Sequence, residues 1–302
     1  MTFTTADFVS FLTEQFPFNQ LPREACETLS RKLKPLRYKM GQALALRERM
    51  PTELQIIYEG QVRLLGYESK SQMPTTVELA STGKIIGWVG LVRGTPCETA
   101  IASEESICLS LKAEDFWEIY QQYDQFREAL EQQCSAIEAF TLLCQEQDRQ
   151  PHGGVDLKAV TQASLESAQV QILPPGKTKL SDLASDHPLK DEQRLWLVSG
   201  GGKITNFSIG SRLELEDTTV LTVEGKPARL VGFDKAELPW FNSQGLSPTL
   251  PVEETEEAEE VTSTVAEDME EIPDAPTVIP GTDDFEEEGR DIGGGGRKYP
   301  YV

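Results

Sequence analysis

Between Ala6 and Leu12 apolar residues recur at helical spacing, with Thr5 or Asp7 available as a cap. Leu21-Pro22-Arg23-Glu24 opens a second predicted helix. Pro22 suits its first turn, Ala25, Leu29 and Leu33 mark its buried stripe, and Lys34-Pro35 ends it. The period then falls to two. Leu36, Tyr38 and Met40 alternate with charged residues, and Leu44 and Leu46 continue in short-strand style. Residues 53–58 and 61–67 read as two strands around Glu59-Gly60, a hairpin turn in which Gly60 supplies the positive φ. Further short strands are expected at 76–80, 99–102 and 107–111, with an apolar, glycine-bearing segment at 84–92. Strands at such intervals, joined by glycine turns, predict a jelly roll or sandwich. Helical spacing returns at Ala113. One long helix is then expected from Asp124 to about Gln147, its stripe made of Phe126, Leu130, Cys134, Ile137, Phe140 and Cys144.

Charge divides the chain unevenly. The 302 residues carry 50 acidic against 28 basic side chains, a formal net charge of -22. Pro251 to Gly289 alone holds sixteen Asp or Glu and no Lys or Arg, whereas residues 290–302 hold three basic residues and one acidic. That leaves -8 on residues 1–250, an ordinary acidic body. Residues 246–296, poor in apolar side chains and self-repelling, read as a disordered acidic linker, with Gly293 to Gly296 as a hinge. Arg297-Lys298-Tyr299-Pro300-Tyr301-Val302 follows, so the chain reads either as a body tethered to a docking peptide or as the front of a longer polypeptide. The acidic excess argues against a nucleic-acid partner.

No run of 18 apolar residues exists, and the N-terminus lacks a basic region like that of a secretory signal. Direct membrane insertion is therefore not expected. The five cysteines (Cys26, Cys97, Cys108, Cys134, Cys144) show no CxxC spacing, so reduced thiols, a cytoplasmic setting and no metal site are expected. His152 and His187 read as surface loop residues. No catalytic residues and no cofactor are expected, because no nucleophile, base and orienting group fall on recognisable elements.

The order of these features resembles a cyclic-nucleotide-binding domain of the kind found in catabolite-activator proteins and kinase regulatory subunits. The likeness rests on the helix LPREACETLSRKL, the pattern Leu54-x-Ile56-x-x-Glu59-Gly60-x-Val62-x-Leu64, the segment Gly83-Lys84-x-Ile86-Gly87, and Ile107 to Leu111 followed by Phe116. It covers about residues 5–146 and implies a mainly β jelly roll with flanking helices. It also implies a phosphate-binding cassette in which a Gly-Glu pair holds a ribose hydroxyl and a later Arg pairs with the phosphate.

Here the cassette is degenerate. Gly87 is present, but Trp88 stands at the Glu position. The Arg position falls near Cys97 or Glu98, and nothing from Cys97 through Ser106 is basic. A carboxylate at Glu98 repels a phosphate, which at an effective dielectric of about 20 and a few ångströms is worth several kcal/mol. Ordinary cAMP or cGMP binding is therefore disfavoured. Gly87, Trp88, Arg93, Glu98 and Thr99 are the candidate ligand-site residues. Arg93 reads either as a solvated turn residue before Gly94-Thr95-Pro96 or as a cavity-facing anion ligand, and Trp88 as a plug that fills the pocket. The helix 124–147 either pairs with its copy in a homodimer or lies back on its own barrel.

Residues 151–245 read as a second, truncated β-barrel-like module. Residues 195–204 repeat the strand, glycine turn, strand layout of 54–64, with strands at 209–213, 219–223 and 228–232. Gly200-Gly201-Gly202-Lys203 reads as a hairpin turn, because no helix pattern follows it as in a P-loop. This layout, with the wording Ile86-Gly87-Trp88-Val89-Gly90-Leu91 and the Arg297-to-Val302 tail, resembles the N-terminal cytosolic region of cyanobacterial peptidase-containing ABC exporters of the type I secretion class. The resemblance implies a non-catalytic regulatory or interaction module with an exporter or other protein as partner, held at the inner face of the membrane through it. The alternative is a free-standing small-anion or cyclic-nucleotide sensor acting as a homodimer.

Overall fold

The computed structural model describes residues 4–69, 72–149, 155–241 and 276–279. Helix α1 (Thr5–Glu14) starts where Thr4 Oγ1 accepts from the Asp7 amide while the Asp7 carboxylate accepts from the Thr4 amide at 2.9 Å. The cap is thus Thr4, one residue before the expected position. Helix α2 (Arg23–Ser30) follows Pro22 and buries Ala25, Cys26 and Leu29.

The strands that follow are β1 (Lys34–Tyr38), β2 (Ala43–Ala45), β3 (Glu53–Glu59), β4 (Val62–Tyr67), β5 (Pro74–Ala80), β6 (Ile85–Ile86), β7 (Thr99–Ala102) and β8 (Ser106–Lys112). They form two antiparallel sheets. One contains β1-β8-β3-β6 and the other β2-β7-β4-β5. This is the expected jelly roll with one topological correction. β3 and β4 do not pair as a hairpin; the turn at Glu59-Gly60 carries the chain from one sheet to the other. β3 pairs instead with β8 and β6, and β4 with β5 and β7, each within its own sheet.

Helix α3 (Trp88–Arg93) interrupts the strands between β6 and β7, and α4 (Ala113–Gln122) leaves β8. The expected long helix is instead two, α5 (Asp124–Glu131) and α6 (Ala136–Gln147). The break has a local cause. Ser135-x-x-Glu138 is a capping box, with Ser135 Oγ accepting from the Glu138 amide at 3.1 Å and the Ser135 amide donating to Glu138 Oε2 at 3.4 Å. The stripe residues Phe126, Leu130, Ile137, Phe140 and Cys144 are buried within the chain itself.

After α7 (Leu157–Ser167) come β9 (Gln169–Leu173), β10 (Gly176–Lys179), β11 (Arg194–Ile204), β12 (Arg212–Leu213) and β13 (Val220–Asp234), forming one antiparallel sheet in the order β10-β13-β11-β12, with β9 also on β13. The segments expected as separate strands at 219–223 and 228–232 are a single fifteen-residue strand. Gly200–Gly202 are not a hairpin turn. They lie inside β11, where its register against β13 slips twice.

This third sheet has two apolar faces. Leu195 and Leu197 of β11, with Val231 and Phe233 of β13, belong to the jelly-roll core. Trp196 and Val198, with Ala228 and Leu230, belong to a second core with Leu173, Leu180 and Leu213. Alternation along a strand sends neighbours to opposite faces, so one strand pair walls both cores. Within the span read as a disordered linker, Thr277–Val278 form a short strand, β14, on the free edge of β1. The remainder of that linker, Gly293 to Gly296, the Arg297-to-Val302 tail and His152 lie outside the described residues.

Because the two cores share this wall, they are expected to unfold as one cooperative unit. Leu197→Ala on one face and Leu230→Ala on the other should each lower stability by about 2–5 kcal/mol. Both should shift the same single calorimetric transition of the full chain. Two separable transitions, each moved by one variant, would refute this.

Candidate functional site

The site sits where α3 meets both the barrel and the third sheet. Gly87 precedes α3 with φ +96, a conformation that favours glycine, and a Cβ there would stand 3.3 Å from the Glu53 carbonyl. Its amide donates to Glu98 Oε2 at 2.8 Å. The carboxylate that the sequence placed where an anion-binding Arg was expected thus occupies the cassette amide itself. Burial pushes the Glu98 carboxyl up to about 7, against the opposing pull of the Gly87 N–H and of Arg93.

Arg93 is neither a solvated turn residue nor a free cavity-facing ligand. It is 2% exposed, and its Nε donates to the Ser199 carbonyl of β11 at 3.0 Å. Gly200 makes this approach feasible, since a Cβ there would lie 2.5 Å from the Arg93 carbonyl oxygen. Arg93 Nη1 has no hydrogen-bond partner among the described residues.

The contact continues into a buried charge cluster. Ser199 Oγ donates to Glu138 Oε1, and Arg229 of β13 clamps the same carboxylate through Nε at 2.7 Å and Nη2 at 3.0 Å. Glu138 and Arg229 are 0% and 1% exposed. Arg229 also donates to the Glu131 carbonyl at 2.7 Å and to the Gln133 carbonyl, filling the break between α5 and α6. Its positive charge sits at the C-terminal, electronegative end of α5. Burial alone would raise the Glu138 carboxyl, but the Arg229 guanidinium overcomes it and holds the group below the usual carboxylate range. Two turns on, buried Glu146 pairs with Arg149 at 2.8 Å and faces Arg212 at 3.8 Å.

The other candidates separate. Trp88 is buried and lines a cavity of about 720 Å³ together with Glu98, Leu64, Val77, Cys134 and Lys158, so it walls the cavity without filling it. Thr99 Oγ1 accepts from the Arg47 amide at 3.3 Å. A second cavity of about 330 Å³ lies across the cassette, bounded by Tyr38, Arg49, Gly90 and Cys97, and Glu98 borders both. Gly87, Trp88 and Glu98 therefore come together, while Arg93 turns to the third sheet. Glu138, Ser199 and Arg229 were missed by the sequence reading. Only the Ser135-x-x-Glu138 capping box offered a local signal, and nothing local marks Arg229 as its partner. Among the described residues, no group of three or more His, Cys, Asp or Glu is placed to hold a metal ion, and no helix is long and apolar enough to cross a membrane.

A jelly roll with a helix-bearing insertion between β6 and β7 defines a class. Residues 35–123 match the family model of the cyclic nucleotide-binding domain, and the jelly roll has the fold of that family. Similar solved structures include the catabolite activator protein of Thermus thermophilus, at 19% identity and TM-score 0.34 over 39% of this chain and 54% of that one. A cyclic nucleotide-binding-like protein of Brucella abortus matches at 21% identity and TM-score 0.33, over 38% and 98%. The regulatory domain of Toxoplasma gondii PKA, crystallised with cAMP, matches at 10% identity and TM-score 0.38, over 79% and 92%. The chain thus spans about half the length of the Thermus protein. A comparison with curated proteins gave no match.

Two outcomes test this arrangement. A raised carboxyl pKa penalises the charged form, so the Glu98 contribution to stability falls as pH climbs from about 4.5 to about 7 and stays low above it. The interval corresponds to roughly 3–4 kcal/mol. Glu98→Gln should flatten that fall and raise the midpoint at pH 8 relative to wild type; thermal melts at pH 5 and pH 8 compare them, and an unchanged slope would contradict the assignment. Separately, Arg229→Ala leaves the Glu138 charge buried and unpaired, at a cost of about 3–5 kcal/mol. In chemical denaturation, Glu138→Gln combined with Arg229→Met should lose much less than Arg229→Ala alone.

Proposed function

We propose that the chain is a non-catalytic regulatory or interaction module of cyclic-nucleotide-binding type whose cassette is satisfied by its own side chains. One observation carries this reading. The Gly87 amide is held by the Glu98 carboxylate, and the only arginine of the cassette helix is spent on Ser199. A cyclic nucleotide phosphate would have to displace one carboxylate and then face it, and Arg93, which bonds the Ser199 carbonyl, would have to turn from the third sheet to compensate. The clamp from Arg93 through Ser199 to Glu138 and Arg229 ties the cassette to the third sheet, so the cassette acts as a joint between the two cores. The partner in this reading is a protein, and the resemblance of Ile86–Leu91 and of the Arg297-to-Val302 tail to exporter N-terminal regions makes an ABC-type exporter the favoured one. The module then acts at the inner face of a membrane through that partner.

Titration of the full chain with cAMP and cGMP to millimolar concentration should leave the thermal midpoint unchanged. A midpoint that rises with ligand in the manner of mass action would overturn the self-satisfied cassette. The exporter link is checked in the adjoining DNA, where an in-frame or neighbouring coding region with long hydrophobic segments and a Walker motif is expected. An unrelated neighbour removes that support.

A further inference from the structure

The outer edge of β1 is covered by four residues from far along the chain. Leu36 pairs with Val278 and Arg37 with Thr277 in antiparallel register, and the Ile279 amide donates to the Pro35 carbonyl at 3.2 Å. Ile279 is 9% exposed and joins the jelly-roll core, while Thr277 and Val278 face solvent. Pro276 borders the 330 Å³ cavity that Cys97 and Glu98 also line. The contact is thus a short main-chain ladder with one apolar anchor, the geometry by which an extended peptide adds to a sheet edge.

Charge favours an acidic strand at this edge. Residues 31–39 contain Arg31, Lys32, Lys34, Arg37 and Lys39 and no acidic residue, in a chain of net charge -22; Lys32 already pairs with Asp115 and Glu118, and Arg37 with Glu105, at the surface. The docked segment comes from sequence with Glu270, Glu271 and Asp274 before it and Asp283 and Asp284 after it. Pro276 and Pro280 bracket the paired residues. Proline favours the extended backbone and offers no amide, so the ladder stays short. Two register pairs and one anchor make an association that a competing strand can displace.

We propose that the β1 edge is an acceptor site for an extended acidic peptide of a partner protein, with a β-branched anchor between prolines, and that Pro276–Ile279 holds the site in cis until such a peptide replaces it. The cis segment gains from its tether, which keeps it at high effective concentration. This proposal does not depend on whether the cassette binds a nucleotide.

The probe is a fluorescent peptide of residues 270–287, titrated into the full-length protein and into full-length Ile279→Asp. The variant, its edge freed, should bind the peptide at least about tenfold more tightly than wild type, because there the tethered segment no longer competes. Binding should weaken with added salt, and a peptide carrying the same Ile279→Asp change should not bind. Equal binding to both proteins, or binding to neither, overturns the proposal. Hydrogen exchange on wild type gives an independent reading: the Ile279 amide should be protected, and excess peptide should abolish that protection. An Ile279 amide exchanging at the unprotected rate sinks the idea whatever the variant does.

Discussion

The Glu138 carboxylate is the point on which the two cores of this protein close. It is fully buried, and an isolated charge there is untenable. Arg229 answers it with two hydrogen bonds and gives two of its remaining donors to carbonyls in the gap between α5 and α6. The pair, the helix break and the seating of the third sheet are therefore one arrangement. A buried ion pair is weak evidence for net stability, because desolvation offsets most of the attraction. What the structure shows is position: the pair joins β13 to α6 through two hydrogen bonds.

The cassette inherits that placement. Ser199 gives its hydroxyl to Glu138 and its carbonyl to Arg93, so α3 is held from the third sheet's side. Glu98 holds the same segment from the barrel's side through the Gly87 amide. The segment around Gly87 is thereby held from two sides by the chain itself. The two carboxylates differ in the way physics requires. Glu138, clamped by a guanidinium, stays ionised below its ordinary range; Glu98, held mainly by an amide in a dry setting, is raised toward neutrality.

Sequence periodicity carried the reading of the barrel a long way. Strands β5, β7 and β8 fall within two residues of the expected spans, because alternation and glycine turns are local signals. The expected hairpin at Glu59-Gly60 failed for a reason outside those residues: pairing is decided by which strand lies alongside, and β8 and β7 outcompeted the neighbour in sequence. The long helix failed for a local reason that was readable, the Ser135-x-x-Glu138 box. Gly200–Gly202 looked like a turn because glycine commonly makes one. Here their lack of side chains serves close approach, of β11 to the Arg93 carbonyl and to the bend of β13.

What the sequence alone determined is whatever depends on neighbours within a few residues: the helical and strand periods, the acidic bias of the C-terminal region, and the loss of the expected charges around Gly87. What only the tertiary structure decided is which distant groups answer each buried charge. Glu138 and Arg229 are 91 residues apart, and Arg93 and Ser199 are 106 apart. The same holds for Thr277–Val278, which read as a spacer and became a strand on β1. Local sequence can state that a group needs a partner, but the identity of that partner is set by the packing of the whole chain, where burial makes an unanswered charge or amide costly.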